Sequence, residues 1–594
     1  MKLNVKINFF IIIALISFYF LLCGIRGSIQ DRIDLFKNFS FDTIKFILKT
    51  MIYFIFTILF MSFLGHNLKI NLIQKNKAKI YFLIIAWLLY FCSLSLLILK
   101  KWALNRFPID NPETVYFVLG NPKELSGFDK SILFELAYIE VLIFLISLLF
   151  FIFIFLYEKR ERISCFSIKI KKVIYININV VYFIFQLFML FVVFVDLYHD
   201  LNIKDYLLVI KNFKTPLEDS DFYISEYIKP EYGKIVFPQN KKNLILIFME
   251  SMESSYADEE NGGLLQGNLI PNLTNLASEN VNFSSTEKLG GGIDLAGTGW
   301  TVAALLSKLG GLPFNLVGDE NLNRNVFLPG AIILTDILNF NGYKQLFIFG
   351  SDKHFAGRDS LLENHGNVEI HDINWYKRKS MLPQNYSVFW GFEDKKLFEF
   401  AKYELMTLQE SSPFMLGLLT VDTHMPTGYQ CDLCPAENDM PIKRSIRCAD
   451  FQISNFIQWC KEQVWYKDTV IVILGDHLFM ATEKTNPFSD DSFIAFHRQK
   501  SDLCTMYENP RRWLNIFINS IPQKENFSEK QRKFSSFDIF PSILASIGCD
   551  IQNDRLGFGT NLFSTKKTLL ERYSEEYINT QIMKRNLQYE NLTK

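Results

Sequence analysis

No charge of either sign is in excess: 62 Lys and Arg stand against 62 Asp and Glu, for a formal net charge of +0. A nucleic-acid partner, whose phosphates call for a basic surface, gets no support from this balance. No internal repeat or low-complexity tract is present. Cysteine is sparse, at nine residues, and Cys23, Cys92 and Cys165 fall in the first third of the chain. A small-residue cleavage site after the first apolar run is lacking, so that run reads as an anchor rather than a removed signal peptide.

Apolar residues are what the chain has in quantity: 49 % hydrophobic, 15 % aromatic, with 58 Phe. Most of the excess lies before residue 200, so two different polymers are joined end to end. Five apolar runs occur there, at 9–25, 46–64, 80–99, 141–157 and 173–195. Each is about 17 residues or longer, enough to cross a hydrocarbon core of about 30 Å as a helix.

Orientation follows from the basic loops. Lys2 and Lys6 precede the first run, Lys69, Lys75, Lys77 and Lys79 follow the second, and Lys159, Arg160, Arg162, Lys169, Lys171 and Lys172 follow the fourth. The positive-inside rule places these loops in the cytoplasm, and five spans then put everything after Asp196 outside. Lys49, Glu135 and Glu140 lie near span ends, where snorkelling accounts for them. The expected organisation is a five-helix transmembrane domain (1–196), a connecting segment (197–240) and an extracytoplasmic domain (241–594). Residues 200–212 of the connecting segment have helical apolar spacing, and Pro216, Pro230 and Pro238 punctuate its remainder.

From residue 243 short β-branched runs alternate with longer amphipathic ones. NLILIFM (243–249), QLFIF (345–349), FMLGLL (414–419) and TVIVIL (469–474) read as buried strands. Helical stretches at 272–277, 397–408 and 449–462 separate them. Such alternation predicts an α/β domain with a mainly parallel sheet flanked by helices. Sites in such sheets gather beyond the carboxyl ends of the strands. There the sequence puts Glu250, then Gly350-Ser351-Asp352, then Asp422-Thr423-His424, then Gly475-Asp476-His477.

Glu250, Asp476 and His477 form a mixed carboxylate and imidazole set. That set suits a hard or borderline divalent cation, Mn²⁺, Mg²⁺ or Zn²⁺. Taken one at a time, each residue could merely cap its strand. A nucleophile is expected beside the metal. GTGWT (297–301) precedes an apolar helical run at 302–309. A hydroxyl there, on Thr298 or Thr301, meets the free N–H groups and positive end of the helix, and metal coordination would lower its pKa further. Either threonine could equally serve as an N-cap.

Six cysteines lie in the outer part: Cys431, Cys434, Cys448, Cys460, Cys504 and Cys549. Cys431-x-x-Cys434 could also suggest zinc or redox chemistry, but it has no second CxxC or CxH pair beside it, so a structural disulfide is expected, with Cys448 joined to Cys431 or Cys434.

Taken together, these residues resemble a family. PNL…LA…F (271–283), FDIFPSIL (537–544), FAGRD (355–359), VDTHMPTGY (421–429), GDHLFM (475–480) and RLGFG with NLF (555–563) are similar to motifs of the alkaline phosphatase/sulfatase superfamily. Within it they look like the membrane-anchored phosphoglycerol transferases, including those that decorate periplasmic glucans and the lipoteichoic acid synthases. The resemblance covers about residues 243–563. It implies Thr301 as nucleophile and metal ligand, with Glu250, Asp476 and His477 completing the site of one divalent ion, Mn²⁺ first. Glu253 is then a decoy. Arg358 is implied as the phosphate-binding arginine and His424 as a catalytic group beside the substrate, with Asp352 at the same edge as a further substrate-binding residue. Lipoteichoic acid synthases carry Trp two residues before that arginine, whereas Ala356 stands here. A true sulfatase needs a C-x-P-x-R-type motif, which Cys434-Pro435 does not supply. The resemblance implies transfer of phosphoglycerol from phosphatidylglycerol to an extracytoplasmic glycan, at the cytoplasmic membrane, with diacylglycerol released. A phosphoethanolamine transferase, a polyglycerolphosphate polymerase and a non-enzymatic glycan-binding protein are the alternatives.

Overall fold

The computed structural model describes residues 218–315 and 327–594, apart from 426, 436–437, 481–485, 489–510 and 522–526, together with scattered positions between 88 and 198. Two compact units emerge: Met1–Ala103 with Lys130–Ile203, and Leu104–Asp129 with Lys204–Lys594.

In the first unit the described residues of the apolar runs 80–99 and 141–157 are helical. Ser95 Oγ donates to Glu140 Oε2 at 3.1 Å. Val141, Leu145 and Leu149 are exposed. The runs at 9–25 and 46–64, nearly all of 173–195, and the stretch 200–212 lie outside the described residues. Among the described residues no helix is long and apolar enough to cross a membrane.

The second unit is built on a seven-stranded sheet. Its strands are β1 (Asn243–Met249), β2 (Gly291–Gly292), β3 (Lys344–Phe349), β4 (Glu369–His371), β5 (Phe414–Leu419), β6 (Thr469–Gly475) and β7 (Trp513–Ile518), in the order β2-β7-β6-β1-β5-β3-β4. β1 pairs in parallel with β5 and β6, and β3 in parallel with β4 and β5. β7 runs antiparallel to β6, and β2 antiparallel to β7. The four strands expected from sequence are present within one residue of their predicted ends. The antiparallel edge is an addition.

The continuous apolar runs have a plain cause: the sheet is covered on both faces. Leu244, Leu246 and Phe248 of β1 pack into one core, and Ile245, Ile247 and Met249 into the other. The first core is closed by α2 (Thr301–Gly310), α3 (Leu334–Phe340) and α6 (Ile539–Ser546). The second is closed by α1 (Pro271–Glu279), α4 (Asp394–Leu408) and α5 (Pro441–Lys461). Fully burying each Leu, Ile or Phe contributes about 1.5–3 kcal/mol, so a charge placed mid-strand would break the layer.

A short helix, Asp221–Glu226, begins the continuously described chain, and its buried Glu226 binds Arg555, Arg572 and Tyr573 near the C-terminus. After β5 the chain reaches Cys431 and Cys434, and α5 carries Cys448. The expected disulfide is not formed: Cys431 Sγ lies 3.6 Å from Cys448 Sγ and 3.9 Å from Cys434 Sγ.

Candidate active site

The central strand β1 ends on Glu250, and the next residue bends sharply. Ser251 adopts φ 50°, a conformation costly for a side chain with a Cβ and tolerated where function is built. The bend aims Ser251 N at Asp476 Oδ1, 2.7 Å away, and Ser251 Oγ at Glu250 Oε1, also 2.7 Å. Glu250 is fixed from the neighbouring strand end as well. Its N–H donates to Thr420 Oγ1 at 2.8 Å, and its carbonyl accepts from the Thr423 hydroxyl.

On the other side of β1, β6 ends on Gly475, where a Cβ would lie 1.9 Å from Met252 O. Only glycine allows that approach, which brings Asp476 and His477 up to Glu250. Asp476 Oδ1 accepts from His477 N at 2.7 Å. His477 Nδ1 donates to Leu478 O at 2.8 Å, which leaves Nε2 as the ring atom turned toward the carboxylates. That Nε2 stands 3.4 Å from Asp476 Oδ2 and 3.6 Å from Glu250 Oε1.

Asp476 Oδ2 and His477 Nε2 are buried with no hydrogen-bond partner. Ligand atoms of Glu250, Asp476 and His477 all lie within 4.8 Å of one another. Orphaned buried acceptors converging like this are unfavourable unless a cation sits among them. The pKa shifts agree. Burial, and then the Asp476 carboxylate, push Glu250 up to about 8. Burial disfavours a charged His477, but Asp476 and Glu250 outweigh it and raise its pKa. The residues therefore fit a divalent metal ion.

GTGWT forms the turn that delivers the hydroxyl. Gly297 takes φ 73°, and a Cβ there would sit 2.8 Å from Phe314 O. Thr298 is fully buried. Its Oγ1 accepts from Leu295 N and donates to Leu295 O, both at 2.9 Å. Trp300 occupies the N-cap without a side-chain bond, and Thr301 is the first residue of α2. Neither threonine is the N-cap. Thr301 lines the cleft together with Glu250, Arg358 and His424, while Thr298 does not.

Arg358 reaches the cleft from the loop after β3. Its guanidinium donates to Ser351 Oγ at 2.7 Å, Asp352 O at 2.8 Å and Phe355 O at 3.1 Å, and it lies 4.5 Å from the Phe349 ring centre. Such anchoring fixes the direction of the remaining N–H groups. Asp352 itself does not line the cleft. Its carboxylate accepts from His354 N and Asn374 Nδ2, both at 2.9 Å, so it acts on the site through its carbonyl. His424 donates from Nδ1 to Met425 O at 2.8 Å, and burial lowers its pKa to about 4. Trp390, whose ring centre is 4.8 Å from that of His424, walls the same side beside Ala356.

Some contributors were not legible in the sequence. Lys308, two turns along α2 from Thr301, is buried; it donates to Asp476 O at 2.6 Å and lies over the Trp513 ring at 4.2 Å. Burial lowers its pKa to about 8, opposed by Asp294 and Asp476. Asp294 accepts from Leu478 N at 2.9 Å, behind His477. Glu253 is taken by Arg511 and by Phe479 N, which keeps it out of the metal cluster.

A sequence model of the family described as Sulfatase matches residues 242–549, the stretch that carries the sheet and every residue of this site. The chain belongs to the Sulfatase family. Among curated proteins, phosphoglycerol transferase I of Xanthomonas campestris pv. campestris (strain B100) is 32 % identical over 300 residues, 48 % of this chain and 38 % of that protein. The phosphoglycerol transferase I of Salmonella newport (strain SL254) is 33 % identical over 276 residues, 45 % of this chain and 34 % of that one. The match thus spans well under half the length of these relatives. Among solved structures, the lipoteichoic acid synthase LtaP from Listeria monocytogenes is similar at TM-score 0.40 and 19 % identity, over 60 % of this chain and 80 % of that one.

Proposed function

We propose that this chain transfers phosphoglycerol from phosphatidylglycerol to an extracytoplasmic glycan acceptor, through a covalent phosphoryl intermediate on Thr301. One observation carries the reading. The first residue of α2 presents a hydroxyl into a cleft shared with Glu250, Arg358 and His424, with Asp476 and His477 against Glu250. The names of the curated relatives support the transferred group.

Thr301 Oγ1 bonds to the donor phosphorus, and the bond from phosphorus to the diacylglycerol oxygen breaks. An acceptor hydroxyl then bonds to phosphorus and frees Thr301. Glu250, Asp476 and His477, with Thr301, would hold one divalent ion, Mn²⁺ being the first choice. That ion supplies charge to offset the phosphoryl oxygens and to acidify the threonine hydroxyl. Arg358 grips the phosphodiester, its direction fixed by Ser351 and the Asp352 carbonyl. His424, neutral with Nε2 unprotonated, is suited to take a proton from an incoming hydroxyl and return it to a departing oxygen. α2 adds its positive end beneath the phosphate.

The apolar runs before residue 200 would hold the site at the lipid surface, with the second unit outside the cytoplasmic membrane. The exposed Val141, Leu145 and Leu149 on a described helix fit a lipid contact. Full-length protein given Mn²⁺ and phosphatidylglycerol should release diacylglycerol, and rapid quenching should yield a Thr301 peptide carrying glycerophosphate. Consumption of phosphatidylethanolamine with phosphatidylglycerol untouched would assign the chain to ethanolamine transfer instead.

A further inference from the structure

A second cluster of ligating atoms lies on the segment that follows His424. Cys431 and Cys434 sit on a tight turn closed by Cys434 N donating to Cys431 O at 3.2 Å. Cys448 faces them from α5 and is buried. The three sulfurs lie within 4.8 Å of one another, with two of the separations at 3.6 and 3.9 Å.

Those separations decide between two chemistries. A disulfide needs sulfurs about 2.05 Å apart. Thiolates on a tetrahedral zinc ion, each bonded at about 2.3 Å, stand about 3.8 Å from one another. The cluster matches the second spacing. Its surroundings also favour thiolate. Gln452 Nε2 donates to Cys448 Sγ at 3.3 Å and reaches Cys431 Sγ at 3.9 Å. Donors gathered around sulfur stabilise the anionic ligand and do little for a disulfide.

We propose that Cys431, Cys434 and Cys448 bind one zinc ion, at a site separate from the Glu250 cluster. The ion would clamp the segment bearing His424 onto α5. That segment is already tied there by Ser445 Oγ donating to Tyr429 O and by Gln430 Nε2 donating to Ser445 Oγ, both at 2.8 Å. Metal ligation would also shield the thiols from oxidation. The inference rests on sulfur geometry and stands apart from the proposed transfer reaction.

The test uses full-length protein purified in detergent and loaded with Co²⁺, whose bonds to sulfur give a near-ultraviolet charge-transfer band that oxygen and nitrogen ligands do not. Wild-type protein should show that band at one equivalent per chain. Glu250→Gln should keep it, and Cys434→Ser, at a half-buried position, should lose it. A wild-type protein without the band overturns the proposal, whether its thiols label freely or non-reducing peptide mapping joins Cys448 to Cys431 or Cys434. Because the decisive reading is on wild-type protein, a misfolded variant does not blur it.

Discussion

Lys308 Nζ donates to the backbone carbonyl of Asp476, and it does so from the helix whose first residue is Thr301. One rigid element therefore carries the Thr301 hydroxyl at its start and a brace for Asp476 two turns later. The spacing between the Thr301 hydroxyl and the Asp476 carbonyl is thereby tied to helix geometry rather than to loop packing.

Replacing Lys308 with Met keeps most of the packing over Trp513 but leaves Asp476 O without its donor. Partners of metal ligands typically matter at the level of about 10–100-fold in affinity. Lys308→Met should weaken divalent-ion binding by that factor, read by metal titration, with the fold retained by circular dichroism. Unchanged metal affinity would reduce Lys308 to a packing residue.

The two threonines of GTGWT should separate cleanly. Thr301→Ala is expected to abolish diacylglycerol release at an unchanged melting temperature. Thr298→Ala loses two buried hydrogen bonds, each worth about 1 kcal/mol, and should lower the melting temperature while turnover persists. The opposite pattern would move the nucleophile to Thr298.

Arg358→Lys keeps the charge but cannot satisfy Ser351, Asp352 O and Phe355 O together. About 1.5–3 kcal/mol of phosphate binding should go, a loss of about 10–100-fold in kcat/KM for phosphatidylglycerol. Steady-state kinetics on mixed micelles measures it, and a value near wild type would mean that charge alone suffices.

Glu226 accepts from Arg555, Arg572 and Tyr573. Burial opposes its charge, but Arg572, Tyr573 and Arg555 outweigh it and hold its pKa below the usual range. A depressed carboxylate contributes stability above its unfolded pKa, about 4.3, and loses it as pH falls through the lower folded value. Glu226→Gln should therefore cost about 2 kcal/mol at neutral pH, since both arginines are partly exposed. The gap to wild type in thermal melts should close below about pH 4. A gap that persists in acid would show that shape rather than charge matters there.

How much of this could be read in the sequence depended on whether a residue's role was local. NLILIFM and TVIVIL announce themselves because strands buried on both faces have no polar positions to alternate. Glu250, Asp476 and His477 were legible because they stand within three residues of the ends of such runs. β7 was harder: Asn515 interrupts it, and only the fold shows that Asn515 is satisfied by the backbone of Phe283. Lys308 within an apolar helical run looks like a snorkelling side chain until the third dimension places Asp476 O above it. The cysteines misled for a related reason. A CxxC pair without a companion suggests a disulfide, and the third thiol arrives from a helix 14 residues on, a spacing with no signature of its own.

The parallel register has a last consequence, for quality control. Met249 is paired with Gly475 and Phe248 with Leu419, and Asp476 N donates to Met249 O at 3.0 Å. A slip of β6 by one residue would carry Asp476 and His477 about 3.3 Å along the strand and turn alternate side chains to the wrong face. The slipped molecule could still bury its valines and isoleucines, so bulk spectroscopic probes would hardly notice it. With the proposed ion bound at the Glu250 cluster, metal occupancy would fall with the slipped fraction and so would count the correctly threaded part of a preparation.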